Sequence, residues 1–420
     1  MNARKLRKVL FVLCAQAMAL SLLIGLFGAK TASAAGKEIL LGNVLPMSGP
    51  LKTGGEGSTS GSELAVSEIN AAGGVLGRPL KLITRDDEVR PSTGLKMIQE
   101  LYEVHGVRLF LGGMSSGVVL AVAPQIEKLN SVFVVTAAGS ADITGSKLNP
   151  RIFRITHDNA AGNFALSDLM HKEYPDVHKW AGINPDYAWG RSCWRFFVEG
   201  YKARDPKFAV TAERWPPLGA GGGYGPHAAA VIDSGAEGLY SSCVGTTDVA
   251  ALIREGKAYG LFDKIKVFTL YHTDFADPAT IGKDMVSYWS TSPYYTGAYT
   301  SAKAKSFQRK MEEKLGKEKF FEVQGHAANG YDAVYAYRAA IEKAKTDDPA
   351  AVAKALEGIS IGSPVGVKTI RAGDHQAYYP LAFFHFAADA RDPRGWKIDK
   401  QVVVDGAKYA APVAERLKFE

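Results

Sequence analysis

Along most of the chain, short continuous apolar runs alternate with longer stretches in which apolar residues recur every three or four positions. Residues 38–45 form the first run, ended by Pro46. Residues 58–72 follow, with Leu64, Ala65 and Ile69 at helical spacing, and stop at Gly73-Gly74. The alternation continues with a strand over 80–84, a helix over 91–104, a strand over 107–111, a helix over 117–129 and a strand over 132–136. Continuous apolar strands separated by helices of about 10–15 residues predict β-α-β units around a parallel sheet. The pattern then restarts. Strands over 180–183, 208–211, 238–241 and 265–270 alternate with helices near 190–203, 224–234 and 246–259. The chain is therefore α/β, with two doubly wound lobes of similar size and a first crossover at 150–159.

Beyond Ser290 the order changes. Helices near 300–315, 325–345 and 349–357 precede two strands, 369–371 and 379–386, expected to form a hairpin around Gly373-Asp374. A tail returning across both lobes makes the junction several strands wide. The expected boundaries are 38–155 plus 292–372 for the first lobe and 156–291 plus 373–420 for the second.

The first 34 residues change the compartment. Arg4, Lys5, Arg7 and Lys8 precede an uncharged apolar stretch over 9–27, and Thr31-Ala32-Ser33-Ala34 supplies small residues for cleavage. This is the order of a secretory signal. An uncleaved anchor is the alternative, since about 20 apolar residues span a bilayer. Cys14 lies inside the apolar run, which argues against lipid attachment there. Removing 1–34 takes five cations and no acid, so the formal charge of +7 falls to +2. The basic excess belongs to the leader. No clustered Lys/Arg face with interleaved aromatics calls for nucleic acid. The remaining chain is too long for one ordinary core and fits two domains. It keeps only Cys193 and Cys243. An exported chain can join two cysteines. Cys193 opens the helix after the second lobe's first strand and Cys243 ends its third. Doubly wound sheets place such strands side by side, so a disulfide between them is expected.

Several motifs carry chemistry. Met114-Ser115-Ser116-Gly117 follows a strand and opens a helix, where unpaired N–H groups and the helix dipole favour an anion. The same residues fit G-x-S-x-G (Gly113, Ser115, Gly117), the nucleophile-elbow pattern of hydrolases. A secreted serine esterase would then need an acid and a later histidine, such as His326 or His375. Asp86-Asp87 reads as a solvated loop rather than a catalytic carboxylate pair. The glycine-dense stretch 219–225 lacks the Lys-Ser/Thr of a phosphate loop and reads as a flexible surface loop. No His/Cys/Asp spacing resembles a metal site.

Residues 39–87 combine Ile-Leu-Leu-Gly-Asn-Val-Leu-Pro-Met-Ser-Gly-Pro (39–50), Gly-Ser-Glu-Leu-Ala-Val-Ser-Glu-Ile-Asn-Ala-Ala-Gly-Gly-Val-Leu-Gly-Arg-Pro-Leu (61–80) and Asp86-Asp87. They resemble the opening of leucine/isoleucine/valine-type periplasmic binding proteins of ABC transporters. Gly113-Met114-Ser115-Ser116-Gly117, Pro185-Asp186-Tyr187-Ala188-Trp189-Gly190 and Gly373-Asp374-His375-Gln376 extend the likeness along the chain. The resemblance implies the type I periplasmic-binding fold with a three-crossover hinge. It implies a monomeric, non-enzymatic protein without cofactor or metal, whose partners are a small carboxylated ligand and an ABC permease in the inner membrane. A ligand-sensing subunit for a membrane receptor would use the same fold.

The resemblance also places the ligand. It puts the carboxylate at Ser115 and Ser116, further contacts at Ala138 and Ser140, and an aromatic lid at Tyr187 and Trp189. Val244, Tyr271 and Asp274 border the cleft. Amino-acid receptors of this kind carry a carboxylate near 271–274 for the ligand ammonium. Here His272 and Thr273 stand there, with Asp274 slightly displaced, so either Asp274 takes that role or the ligand has no ammonium.

Overall fold

The structure is a computed structural model describing residues 37–418; the expected leader, 1–34, lies outside the described residues. The first lobe is built on β1 (Ile39–Leu45), β2 (Leu80–Asp86), β3 (Leu109–Gly112), β4 (Val132–Val135) and β5 (Ile152–Arg154), ordered β2-β1-β3-β4-β5 and parallel throughout. Helices α1 (Lys52–Ala71), α2 (Pro91–His105) and α3 (Ser116–Lys128) connect the first four strands. β3 and β4 are wholly buried, which is why they read as unbroken apolar runs.

The chain leaves β5 into α4 (Asn159–Glu173) and the second lobe. There β6 (Lys179–Ile183), α5 (Ala188–Lys202), β7 (Ala209–Arg214), α6 (Gly225–Asp233), β8 (Gly238–Ser241), α7 (Thr246–Ala258), β9 (Val267–Leu270), α8 (Ala276–Ile281) and β10 (Tyr288–Thr291) follow. α9 (Ala302–Leu315), α10 (Lys317–Ala344) and α11 (Pro349–Leu356) come next, and α10 packs along α1 of the first lobe. A small sheet of β11 (Ser360–Ser363), β12 (Gly366–Ile370) and β13 (Ala377–Tyr378) leads to β14 (Pro380–Ala388), β15 (Trp396–Asp405) and the short helix α12 (Val413–Arg416). β14 runs antiparallel to β10, and β15 antiparallel to β14, completing a second sheet of order β15-β14-β10-β9-β8-β6-β7.

Four expectations are corrected here. The hairpin around Gly373-Asp374 joins β12 to β13, and the long apolar strand expected to pair with 369–371 goes to the second lobe's sheet. The disulfide is not formed; Cys193 and Cys243 are both free and buried. The second sheet separates them. Cys193 shares one core with Trp180, Phe197 and Tyr240, whereas Cys243 belongs to the core of Ile183, Leu239 and Phe268. Successive strand residues point to opposite faces, and Tyr240 and Leu239 are neighbours on β8. The loop at Asp86-Asp87 is not solvated throughout: Asp87 is fully buried, and burial pushes its carboxyl up to about 6. The stretch 219–225 is pinned rather than loose. Asp248 accepts the N–H groups of Gly219 and Gly221 at 2.7 and 2.6 Å, and Glu255 those of Gly223 and Gly225 at 3.0 and 2.8 Å.

Candidate functional site

The carboxyl ends of both sheets face one another, as ligand-binding ends of open α/β sheets do. A cavity of about 30 Å³ remains between them, lined by Leu51, Met114, Ala137, Tyr187, Trp189, Val244, His272, Asp274 and His326. Met114 and Ala137 follow β3 and β4 of the first lobe. Tyr187, Val244, His272 and Asp274 lie in the loops after β6, β8 and β9 of the second. That volume takes about one or two water molecules, so the lobes stand closed and an organic ligand enters only when they part.

Trp189 closes the space. Its indole stacks on Tyr271 with centroids 5.8 Å apart and meets His272 edge-on. Its Nε1–H donates to the Ser242 carbonyl at 3.2 Å, which fixes the ring on the second lobe. On the first lobe it reaches Gly139, where a Cβ would lie 2.5 Å from Cζ3. Gly139 therefore admits the lid. Gly139→Val is expected to wedge the lobes at a cost of about 1–3 kcal/mol, weakening ligand affinity roughly 5- to 150-fold. Calorimetry checks this, and unchanged affinity with intact fold would place the lid elsewhere.

The first lobe's predicted anchor has two different serines. Ser115 occupies the N-cap of α3 with extended backbone, yet its hydroxyl makes no capping bond. Ser116 is committed: its Oγ accepts the Ser140 N–H at 3.1 Å. The Ala138 and Ser140 carbonyls both accept from the fully buried Arg154 guanidinium, at 3.2 and 2.6 Å. Those backbone oxygens thus hold the hinge. Of the residues expected at the site, Tyr187, Trp189, Val244 and Asp274 line the cavity wall; Ser115, Ser116, Ala138, Ser140 and Tyr271 stand outside it. Two of these keep unused polar atoms, because Ser140 Oγ and Tyr271 Oη are buried with no hydrogen-bond partner among the described residues.

The opposite wall carries the titratable groups. His272 Nε2 lies 3.0 Å from His326 Nε2, and Asp274 Oδ1 lies 3.6 Å from His326 Nε2 and 4.0 Å from His272 Nε2. Burial lowers the His272 imidazole to about 4 and holds His326 well below the usual histidine range. Burial, then the neighbouring Asp277, pushes the Asp274 carboxyl up. His272 takes the left-handed backbone conformation, φ 70°, uncommon for a residue with a Cβ and concentrated at ligand sites. His326 was not anticipated at the cleft, because nothing around it in the 28-residue α10 marks it.

A family model described as periplasmic binding protein matches residues 38–391. The chain belongs to the periplasmic binding protein family. Among relatives, it is 27% identical over 359 residues to the Leu/Ile/Val-binding protein homolog 3 of Brucella melitensis, covering 80% of this chain and 88% of that one. It is 25% identical to the Leu/Ile/Val-binding protein BraC3 of Rhizobium johnstonii, covering 79% and 87%. A solved structure of similar shape is a Rhodopseudomonas palustris HaA2 ABC-transporter solute-binding protein in complex with p-hydroxybenzoic acid. It has a TM-score of 0.77 at 20% identity, over 88% of this chain and 97% of that one. A leucine-binding protein from Thermotoga maritima gives 0.74 at 17%, over 87% and 98%. The fold is thus the type I periplasmic-binding fold, and membership of the family implies a periplasmic location.

Proposed function

We propose that this protein is the solute-binding component of an ABC importer, capturing a small carboxylated molecule between its lobes and presenting the closed form to an inner-membrane permease. It acts as a monomer, exported by cleavage after Ala34, and performs no chemistry on its cargo. The observation that carries this reading is the cavity itself, walled by strand-end loops of both lobes and closed by Trp189 against Gly139. A ligand that touches both walls favours the closed state by its extra contacts there. Relatives named for leucine, isoleucine and valine, and similar folds holding hydroxybenzoates, support a carboxylated cargo. The Trp189–Tyr271 stack favours a flat or apolar body behind the carboxylate.

The esterase reading is disfavoured by the histidines it would need. His326 meets His272, and His375 Nδ1 meets the Ile152 carbonyl. Neither meets Ser115. A thermal-shift screen of amino acids, amides and aromatic acids tests the capture reading, since a ligand at 100 times its dissociation constant adds about 2.7 kcal/mol. With the ligand found, Ser115→Ala is expected to remove one hydrogen bond to a charged group, about 1.5–3 kcal/mol, or roughly 10- to 150-fold in affinity. Trp189→Ala is expected to weaken binding by losing the lid. No hit across the screen, or unchanged affinity in both variants, would refute this assignment of the site.

A further inference from the structure

Two imidazoles and a carboxyl converge on the cleft from opposite lobes. His272 and Asp274 stand on the loop after β9 in the second lobe, while His326 stands on α10, which packs along α1 of the first. One ligand atom from each can be chosen so that all three lie within 4.8 Å of one another. The spacings are those of a coordination sphere. Ligand atoms about 2.0–2.1 Å from zinc lie about 3.4 Å apart at tetrahedral angles. The observed distances are 3.0 Å between the two Nε2 atoms, and 3.6 and 4.0 Å from these to Asp274 Oδ1. Shifts of a few tenths of an ångström bring all three into range.

The surroundings leave the set usable. Asp277 fixes the loop by accepting the Asp274 N–H at 3.1 Å and the Thr273 hydroxyl at 3.3 Å. The three groups lie in the cavity wall rather than in a packed core. We propose that His272, Asp274 and His326 bind a divalent late-transition-metal ion of the zinc class, joining the two lobes in the closed form. Imidazole suits zinc, copper, iron and nickel, and zinc also takes an aspartate oxygen. Three protein ligands leave a fourth position, as in zinc sites that accept an exchangeable group. The closed cavity has room there for water, which the cargo's carboxylate displaces when the lobes stand further apart to admit it. This extends the capture reading, on which the identity of the fourth ligand rests.

The probe is the metal alone, added to metal-stripped protein carrying no histidine tag. Titration calorimetry with Zn²⁺, repeated with Ni²⁺, is expected to show one site per chain. Affinity is expected to fall at least tenfold in His272→Ala and in His326→Ala. His326→Gln, with circular dichroism unchanged, serves where the alanine variant does not fold. Because the site joins two lobes, Zn²⁺ is also expected to reduce the radius of gyration in small-angle scattering, and the histidine variants to lose that response. Absence of binding, or binding equal in all variants, overturns the proposal. Organic-acid binding by the metal-stripped protein is read separately. Acid binding without any metal binding removes the metal site and leaves the capture reading. Metal binding at these residues without any acid binding removes the capture reading and upholds the metal site.

Discussion

Replacing Arg416 with methionine is expected to lower the unfolding free energy by about 3–5 kcal/mol, the usual cost of stripping one partner from a buried ion pair. Arg416 ends α12 near the chain terminus and is fully buried. Its guanidinium pairs with Asp158, with Asp374 Oδ2 at 2.7 Å and with the Thr144 hydroxyl at 2.7 Å. Asp374 also holds Arg371 at 2.6 Å and so keeps a cation without Arg416. Without Arg416, the nearest cation to Asp158 is Arg154, whose Nη2 is 3.8 Å away; its other partners are neutral, the Tyr378 hydroxyl at 3.5 Å and the Ala161 N–H that it caps at 2.7 Å. The variant therefore leaves a desolvated carboxylate at the crossover between the lobes. Urea denaturation followed by circular dichroism measures the loss. Combining Arg416→Met with Asp158→Asn is expected to cost less than the sum of the single changes. A midpoint equal to the parent's would show that the tail does not clamp the hinge.

Gly61→Val is expected to cost about 3 kcal/mol or more, at the upper end of overpacking penalties. A Cβ at residue 61 would lie 1.9 Å from the Ala327 carbonyl oxygen of α10, and that neighbour is backbone that cannot rotate away. The same interface is shaved at Gly57, 2.3 Å from the Val323 oxygen, and at Gly330, 1.9 Å from the Ser58 oxygen. Valine at 61 forces α1 and α10 apart. His326 lies between Val323 and Ala327 on α10, so the displacement also draws its imidazole from His272. Denaturation should show the stability loss, and ligand titration on the folded fraction should show weaker binding. Retained stability and affinity would mean that the helices are not in this contact.

The same helix shows where local signals misled. Helical spacing predicted a start at residue 58, whereas α1 begins at Lys52. Gly54, Gly55 and Gly57 each cost about 1 kcal/mol of helix propensity, so the first turns do not read as helix. Close approach of α10 outweighs that cost. The edge strand β15 was missed for a related reason: only one of its ten residues is buried, and its Lys397 and Lys400 mark an edge rather than a core.

What the sequence by itself determined was the succession of elements and the ends of strands where a site could form. Buried parallel strands must be continuous apolar runs, and the helices between them must carry a periodic apolar face. Tyr187, Trp189, Val244 and Asp274, which the resemblance singled out, each follow such a run and line the cavity between the lobes. Long-range pairing was decided only in three dimensions. Residues 380–388 had apolar partners available in either lobe, and the second sheet took them. Cys193 and Cys243 shared a neighbourhood in sequence order, but the sheet put them on opposite faces. His326 met His272 only because α10 lies on α1 and the lobes close over both. A polar residue inside a long helix carries no local mark of the cleft it faces, since its partners arrive from another part of the chain.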